Sequence, residues 1–254
     1  MIVSHRHRFV FIHCRKVAGS SMKLAISPHL GDDDLVVGSL HEMLDVGIRP
    51  TAAMRRVLER PGIRLTTAAA RLAGFRTNRA KSIAYKRSFR STLGANPPHP
   101  PASLAMAWIG ARCWSEYTKF CFVRDPYRQV VSDYLWKSRN TRTTFDFSQY
   151  LDALAAPKAH PGIAPDGWVS NWDMMSIDGK LAVDYVGRFE NMQEDFAAIT
   201  SRLGLGRLEI AGQSAKASPS YDYRSFYTDG DLAKVSALFR EEIETFGYAC
   251  PGQG

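Results

Sequence analysis

A strand, a loop and a helix follow one another at the start of this chain, and the loop limits the folds open to it. The apolar run Phe9 to His13 predicts a short buried strand, and Gly19 to Ile26 predicts the start of a helix. A loop in this position directs backbone N–H groups and the helix dipole toward an anion. Gly19 allows close backbone approach, the two serines after it add hydroxyl donors, and Lys16 adds a positive charge. The unit predicts a phosphate-binding loop.

This loop differs from the phosphate loop of nucleotide kinases. That motif, G-x-x-x-x-G-K-[ST], needs a lysine directly after its second glycine, whereas Lys16 precedes Gly19 here. If the segment is taken alone, an ordinary strand-to-helix turn with a chance lysine is the alternative interpretation.

A second strand, turn and helix follow the same plan near the middle of the chain. Lys119 to Val123 predicts a strand, and Pro126 suits the first position of the helix after it. Arg124 at the strand end and Ser132 two turns into the helix can both face one phosphate, for which arginine offers a bidentate fork. The structural alternative is an ion pair between Arg124 and Asp125 or another nearby acid.

Repeated strand-then-helix units favour a parallel sheet. A third apolar run, Ala182 to Phe189, leads into the helical pattern Met192 to Leu203, and Asp231 to Phe246 has the spacing of a closing amphipathic helix. We predict an α/β fold: a P-loop-like three-layer sandwich with a central parallel sheet flanked by helices. The 254 residues, 45% of them hydrophobic, suffice for one such core, so residues 1–254 are expected to form a single domain.

Residues 45–98 have a different character from the rest of the chain. Twelve lysines and arginines lie between Arg49 and Arg90, and Glu59 is the one acidic residue among them. The stretch closes in the proline-rich run Gly94 to Pro101, which cannot be helical throughout. We interpret 45–98 as a basic, helical insertion within the domain.

The net charge of +8 favours a polyanionic partner, but it does not choose among nucleic acid, anionic lipid, acidic glycan and a nucleotide. The four cysteines have no zinc-type spacing, so reduced thiols are expected. No run approaches the ~18 apolar residues of a membrane span, and Met1 to Arg8 lacks the pattern of a signal peptide. We expect a soluble, cytoplasmic protein, with peripheral contact at an anionic membrane surface left open.

Two segments and the later part of the chain resemble one family. The sequences RKVAGSS at 15–21 and FVRDPYRQVVSDY at 122–134 are similar to the two segments with which carbohydrate sulfotransferases of the family 2 type bind 3′-phosphoadenosine 5′-phosphosulfate (PAPS). The similarity continues through GRFEN at 187–191 and YDYRSFY at 221–227. It covers nearly the whole chain apart from the basic insertion. Arg15 departs from the family, which usually has proline there.

The resemblance implies transfer of a sulfuryl group from PAPS to a hydroxyl, with PAP as the other product and no metal. It implies that Lys16 stabilises or protonates the bridging oxygen, while Arg124 and Ser132 bind the 3′-phosphate. Arg188 and Lys216 are further expected donor-site residues, although Glu190 beside Arg188 suits a helix cap equally well. The loop residues expected to bind the 5′-phosphosulfate are Arg15, Lys16, Val17, Ala18, Gly19, Ser20 and Ser21.

A sugar hydroxyl is a poor nucleophile and needs a general base. His99 is the first candidate, because related bacterial chains often carry a histidine shortly before the strand that leads to the Arg-Asp-Pro segment. His41 and Glu42 come next, since other sulfotransferases place a catalytic residue about this far beyond the phosphate loop. The structural alternatives are a turn histidine among prolines and a residue pair at a helix start.

Two other classes of protein remain open. A nucleotide-dependent kinase or other phosphotransferase would use the same loop architecture, but the chain lacks Gly-Lys-[Ser/Thr] and an evident magnesium carboxylate. A non-enzymatic polyanion-binding protein would be built around the basic insertion, whose few aromatics make nucleic acid the less expected partner. The expected partners are PAPS and a carbohydrate or glycolipid acceptor, with an acidic acceptor as one option.

Overall fold

A five-stranded sheet forms the centre of the computed structural model, which describes residues 1–165, 168–211 and 222–252. The strands in chain order are β1 (Ile2–Ser4), β2 (Phe9–Phe11), β3 (Leu35–Val36), β4 (Thr118–Val123), β5 (Ser176–Ile177), β6 (Lys180–Leu181) and β7 (Tyr185–Arg188). The order in the sheet is β3-β1-β2-β4-β7, with β2, β4 and β7 parallel and β1 antiparallel to both of its neighbours. A separate pair is formed by β5 and β6.

Helices flank this sheet. In chain order they are α1 (Gly19–Ile26), α2 (Leu40–Asp45), α3 (Ala52–Leu58), α4 (Pro61–Leu72), α5 (Thr77–Arg87), α6 (Arg90–Leu93), α7 (Ala102–Ile109), α8 (Ala111–Glu116), α9 (Pro126–Arg139), α10 (Phe147–Ala155), α11 (Asn171–Met175), α12 (Met192–Arg202), α13 (Asp229–Leu238) and α14 (Arg240–Phe246). Short 3-10 turns lie at Ser27–His29, Phe189–Asn191 and Tyr223–Phe226. Among the described residues, no helix is both long and apolar enough to cross a bilayer.

The predicted α/β fold with a central sheet flanked by helices is confirmed, although the sheet is mostly rather than wholly parallel. The central strand β2 and residues 120–123 of β4 are apolar and buried, as expected of strands covered on both faces, whereas β4 begins with the polar Thr118 and Lys119. At their centre the rings of Phe11 and Phe120 stack at 4.9 Å. Beside them, a Cβ on Gly187 would lie 2.4 Å from the Phe122 ring, so only glycine fits there.

Two details differ from the prediction. The strand β1 lies within Met1 to Arg8, a segment in which the sequence suggested no strand. The closing helix predicted over Asp231 to Phe246 is two helices, because the backbone of Phe239 leaves the helical conformation at φ −120° and ψ 24°. The Phe239 ring at the break is buried and stacks on Trp168.

A second hydrophobic cluster, apart from the one around the sheet, lies between α9, α10 and α13. Its buried members include Tyr127, Val131, Tyr150, Val235 and Phe239. This packing holds α9, and with it Ser132, at the ends of the parallel strands.

Helices α3 to α6 occupy the basic stretch, and α5 packs against α2, α3 and α4. None of the residues of α4 is buried. The division of the chain into one domain with an insertion at 45–98 stays a prediction.

Candidate active site

The predicted phosphate loop joins the end of β2 to the N-terminus of α1. Lys16 and Ala18 both adopt left-handed backbone conformations, with φ of 61° and 58°. Residues other than glycine rarely do so, and such positions cluster where the surrounding structure fixes a functional backbone. The Ala18 carbonyl accepts hydrogen bonds from the N–H groups of Ser21 and Met22, at 2.9 and 3.2 Å. The loop thus ends on the first turn of α1, where backbone N–H groups attract anions.

Gly19 lies against the imidazole of His13. A Cβ at position 19 would be 1.9 Å from His13 Cδ2 and 2.2 Å from its Nε2, and His13 is buried. Any larger residue would displace the ring. Contact with His13 therefore requires a glycine at position 19. The sequence suggested a different reason for this glycine, the close approach of an anion to the backbone.

The Arg15 side chain fastens the loop to α9. Its Nη2 donates to both carboxylate oxygens of Asp133, at 3.0 and 2.9 Å, and only 12% of the side chain is exposed. Asp133 also accepts a hydrogen bond from the Tyr150 hydroxyl at 3.0 Å. The Arg15 N–H donates to Asn171 Oδ1 at 2.7 Å, and the Asn171 amide donates to Gln129 at 2.8 Å. This network orders the start of the loop, where the resembled family usually has proline.

The sequence did not reveal these partners. Asn171 lies 156 positions from Arg15, and no local pattern connects the two residues. Asp133 carried a weak signal, since it follows Ser132 inside the second segment. The Arg15 guanidinium faces Asp133, so its contact with the donor stays a prediction.

The second predicted segment meets the first at Arg124. This residue follows β4, and its Nη1 donates to the Lys16 carbonyl at 3.3 Å. Its guanidinium also lies 4.2 Å from the centroid of the Phe189 ring, directly after β7. Segments that follow the three parallel strands β2, β4 and β7 therefore meet at one place.

One side of α9 faces the loop. Gln129 and Asp133 contact Asn171 and Arg15, as described above, and Lys16 Nζ lies 5.8 Å from the centroid of the Trp136 ring. Ser132 is buried and lies four residues before Trp136, so the two share one side of the helix. The predicted Ser132 thus lies on the surface of α9 that the loop covers.

Ser20 is tied to the start of α2. The hydroxyl of Ser39, the residue that precedes α2, donates to Ser20 Oγ at 3.2 Å. Ser39 itself has a positive φ of 60°. The bond connects the phosphate loop to the helix that carries His41 and Glu42.

His99 lies beside the loop, and its ring contacts the ring of His13 at a tilt of 42°. The two ring centroids are 4.3 Å apart, and His99 Nδ1 is 2.7 Å from the His13 carbonyl oxygen. Because a carbonyl oxygen only accepts, the neutral His99 ring carries its hydrogen on Nδ1. Its Nε2 is left with a lone pair that can take a proton.

Burial lowers the pKa of His99 well below its usual value, and the positive charges of Arg15 and Lys23 act in the same direction. Burial likewise lowers the pKa of His13, with Lys23 as the next cause. Both rings are therefore neutral near pH 7. A neutral imidazole beside a phosphate loop has the protonation state of a general base.

His41 and Glu42 lie against α5. His41 Nδ1 is 2.8 Å from Glu42 Oε2, and Arg79 Nη1 is 3.2 Å from His41 Nε2. A guanidinium only donates, so the Nε2 lone pair of His41 is already engaged. Burial lowers the pKa of His41, and the charge of Glu42 opposes this shift.

The remaining expected donor residues lie at the end of β7. The Arg188 guanidinium donates to the Phe246 carbonyl at 2.6 Å and lies 5.2 Å from the Tyr248 ring centroid. Glu190 accepts from the Asp125 N–H at 2.8 Å, so it caps the turn before α9 and not the helix after it. Lys216 lies outside the described residues.

A buried carboxyl lies behind the loop. Burial raises the pKa of Glu242 to about 8, although the Trp172 N–H donates to it at 3.0 Å. Glu242 is therefore protonated near neutral pH. Its partner Trp172 is the residue after Asn171, and Asn171 binds the backbone of Arg15. Among the described residues, no cluster of three or more His, Cys, Asp or Glu is placed to bind a metal.

The family model described as the sulfotransferase family matches residues 1–249. The chain belongs to the sulfotransferase family, so the predicted family membership is confirmed. Membership supports sulfuryl transfer as the reaction class, with a nucleotide sulfate donor and an acceptor.

Two individual proteins are also similar to the chain. An uncharacterized protein of Archaeoglobus fulgidus is 28% identical over 112 residues, which cover 41% of this chain and 82% of that protein. The crystal structure of a sulfotransferase from Alicyclobacillus acidocaldarius covers 95% of this chain and 96% of that one, at 15% identity and a TM-score of 0.44.

Proposed function

We propose that the chain transfers a sulfuryl group from PAPS to a hydroxyl of a carbohydrate or glycoconjugate. The observation that carries this proposal is the 3.3 Å hydrogen bond from Arg124 to the Lys16 carbonyl. A donor with phosphates at both its 5′ and 3′ positions needs two anion sites a short distance apart. The loop and the segment of Arg124 and Ser132 supply two such sites side by side.

In this proposal the loop N–H groups with Ser20 and Ser21 hold the 5′-phosphate, and Arg124 and Ser132 hold the 3′-phosphate. The acceptor oxygen attacks the sulfur while its proton passes to His99 Nε2. The bond between sulfur and the bridging oxygen breaks, and PAP leaves with the electron pair. Lys16 stabilises the charge that grows on the bridging oxygen, which is where a fixed cation lowers the barrier most.

His99 is the proposed base because its Nε2 carries an available lone pair, whereas that of His41 accepts from Arg79. Glu42 remains the second candidate. No metal takes part in the proposed reaction.

We propose that the enzyme works in the cytoplasm, with peripheral association at an anionic membrane surface. Its acceptor is a carbohydrate or glycolipid, and the basic stretch suits an acidic one. Nucleic acid is not an expected partner.

The test is a screen of hydroxyl acceptors with radiolabelled PAPS, in the presence and absence of EDTA, together with thermal shifts by PAP and AMP. We expect label transfer that EDTA leaves unchanged, and a larger stabilisation by PAP than by AMP. Turnover of ATP that EDTA abolishes would instead identify a phosphotransferase. Equal shifts by PAP and AMP would contradict the roles of Arg124 and Ser132.

A further inference from the structure

The outward face of α4 is apolar, where a surface helix is normally polar. Leu65 and Leu72 are 73% and 91% exposed, and Ala68 and Ala69 between them are exposed as well. Their spacing of three, four and seven residues places all four on one stripe of the helix. We call this stripe the Leu65–Leu72 face.

The opposite side of the same helix is the one that packs. Ile63, Thr66, Thr67 and Ala70 are half-buried and share the stripe opposite the two leucines, toward α5. Both threonine hydroxyls donate hydrogen bonds to backbone carbonyls one turn earlier in the same helix, at 2.8 Å. The helix therefore packs through its more polar side and presents its leucines outward. Folding alone does not explain that orientation, because it leaves the larger apolar side chains in water.

Positive charge borders this face. Arg64 and Arg71 are exposed, lie seven residues apart and form a row along one flank of the leucines. Phe75, just beyond the helix, is 46% exposed and extends the apolar surface. The acidic residue of the stretch, Glu59, precedes the helix.

We propose that the Leu65–Leu72 face docks on an anionic lipid bilayer. An amphipathic helix with leucines on one side and arginines beside them lies in the membrane interface, with its apolar side chains at the acyl boundary and its cations among the headgroups. Anionic headgroups attract each such cation near the surface. Both parts of that requirement, exposed apolar area and adjacent positive charge, are present on this one helix.

Other occupants fit the face less well. A second copy of the chain would bring Arg64 and Arg71 of each protomer together, with no acidic side chain on either helix to pair them. Nucleic acid would meet mainly leucine and alanine, with the aromatic ring of Phe75 beside the face, whereas binding to successive bases uses several exposed aromatic rings. An anionic bilayer offers acyl chains to the leucines and negatively charged headgroups to the arginines.

Docking would also orient the molecule. A cavity of about 580 Å³ lies at the end of α4, and Phe75, Arg76, Arg79 and His41 contribute to its lining. The helix α2, which carries His41, begins beside Ser39 and its bond to Ser20. A bound membrane would thus lie near this cavity, whose lining includes Asp45 beside the two arginines and His41 of the helix next to the loop. This orientation rests on the proposed sulfuryl transfer, whereas the docking itself does not.

The experiment is co-sedimentation of the full chain with vesicles of phosphatidylcholine alone and of phosphatidylcholine with phosphatidylglycerol. We expect binding to the anionic vesicles that weakens as salt rises. The double variant Leu65→Gln/Leu72→Gln should lower the partition coefficient about tenfold or more, since it removes the inserted apolar area. Arg64→Gln/Arg71→Gln should lower it several-fold and flatten its salt dependence. All four residues are exposed, so the melting temperature should not change.

Matched controls lie elsewhere on the surface. Leu181→Gln replaces another exposed leucine, and Arg112→Gln/Arg240→Gln removes two exposed arginines; neither change should alter vesicle binding. Equal binding to neutral vesicles, or unchanged binding by the leucine variant, would overturn the proposal. So would self-association that depends on Leu65 and Leu72 without vesicle binding, or binding to RNA but not to vesicles. Because the readout is binding, sulfuryl transfer can stand while docking fails, and the reverse.

Discussion

The phosphate loop and the basic stretch are both rich in positive charge, but their arginines differ in burial and in the partners that they contact. Arg15 is 12% exposed and held by both oxygens of Asp133. By contrast, Arg56 in the basic stretch is 65% exposed and pairs with Asp33, which is 75% exposed. A cation fixed by a buried network can hold a small anion in one geometry, whereas exposed cations attract extended anionic surfaces through long-range fields. The comparison predicts large, specific effects of substitution in the first region and small, salt-dependent effects in the second.

The largest effect is expected at Lys16. Lys16→Ala should reduce turnover about a thousandfold, because it removes the cation at the leaving group while leaving the loop backbone in place. Single-turnover transfer of label from PAPS measures this loss. The matched control is Lys81→Ala in the basic stretch, which should stay within a few-fold of the wild-type rate. Survival of turnover in Lys16→Ala would contradict the assignment to the leaving group.

The second test compares two ion pairs that involve arginine. Asp133→Ala should lower the free energy of unfolding by about 3 kcal/mol, because it leaves the Arg15 charge buried without its partner. Asp33→Ala removes the exposed partner of Arg56 and should cost less than about 1 kcal/mol. Chemical denaturation of both variants measures the difference. Similar losses in the two variants would break the distinction drawn between the regions.

The third test concerns His99. His99→Ala should lower kcat about a hundredfold and leave PAP affinity nearly unchanged, since the ring acts on the acceptor proton. The wild-type kcat should rise with pH as His99 loses its proton, which happens below the usual pKa of a histidine. This acidic limb should therefore be complete by about pH 6.5, above which kcat should no longer rise. In the variant the acidic limb should disappear.

His41→Ala is the matched control for His99 and should retain that limb. If Glu42→Gln or His41→Ala loses activity while His99→Ala keeps it, the base lies on α2.

An effect that depends on pH is expected from the carboxyl behind the loop. The pKa of Glu242 is about 8 in the folded chain and near 4.5 when exposed, so the folded state keeps a proton that the unfolded state loses between these values. Stability should therefore fall as pH rises through this window, by an amount on the order of a few kcal/mol. In Glu242→Gln, this part of the pH dependence should be absent. Denaturation midpoints of both proteins between pH 5 and 8 measure the difference; parallel curves would contradict the raised pKa.

The two regions also differ in how well the sequence predicted them. The strands β2 and β4, the loop and the start of α9 at Pro126 were predicted, because each depends on residues adjacent in sequence. The contact of Asn171 with Arg15 and the contact of His99 with His13 were not predicted, since they join segments 156 and 86 positions apart. The strand β1 was missed because its apolar residues are followed within two positions by His5 to Arg8, whereas β2 lies in the longer apolar run Phe9 to Ile12. The basic composition of 45–98 was evident, but composition does not indicate which side of α4 turns outward.

The smallest effect is expected when charges of the basic stretch are neutralised outside the Leu65–Leu72 face. Replacing Arg55, Arg56 and Arg60 together by Gln should raise KM for an acidic acceptor a few-fold and flatten its salt dependence, with kcat and PAP affinity unchanged. The side chains are exposed, so little stability is lost. The control removes three exposed arginines outside the stretch, namely Arg112, Arg139 and Arg240. An equal rise in KM in both triple variants would show that only the net charge matters. A fall in kcat confined to the Arg55, Arg56 and Arg60 variant would show that these arginines act close to the reacting groups, contrary to the role proposed for the basic stretch.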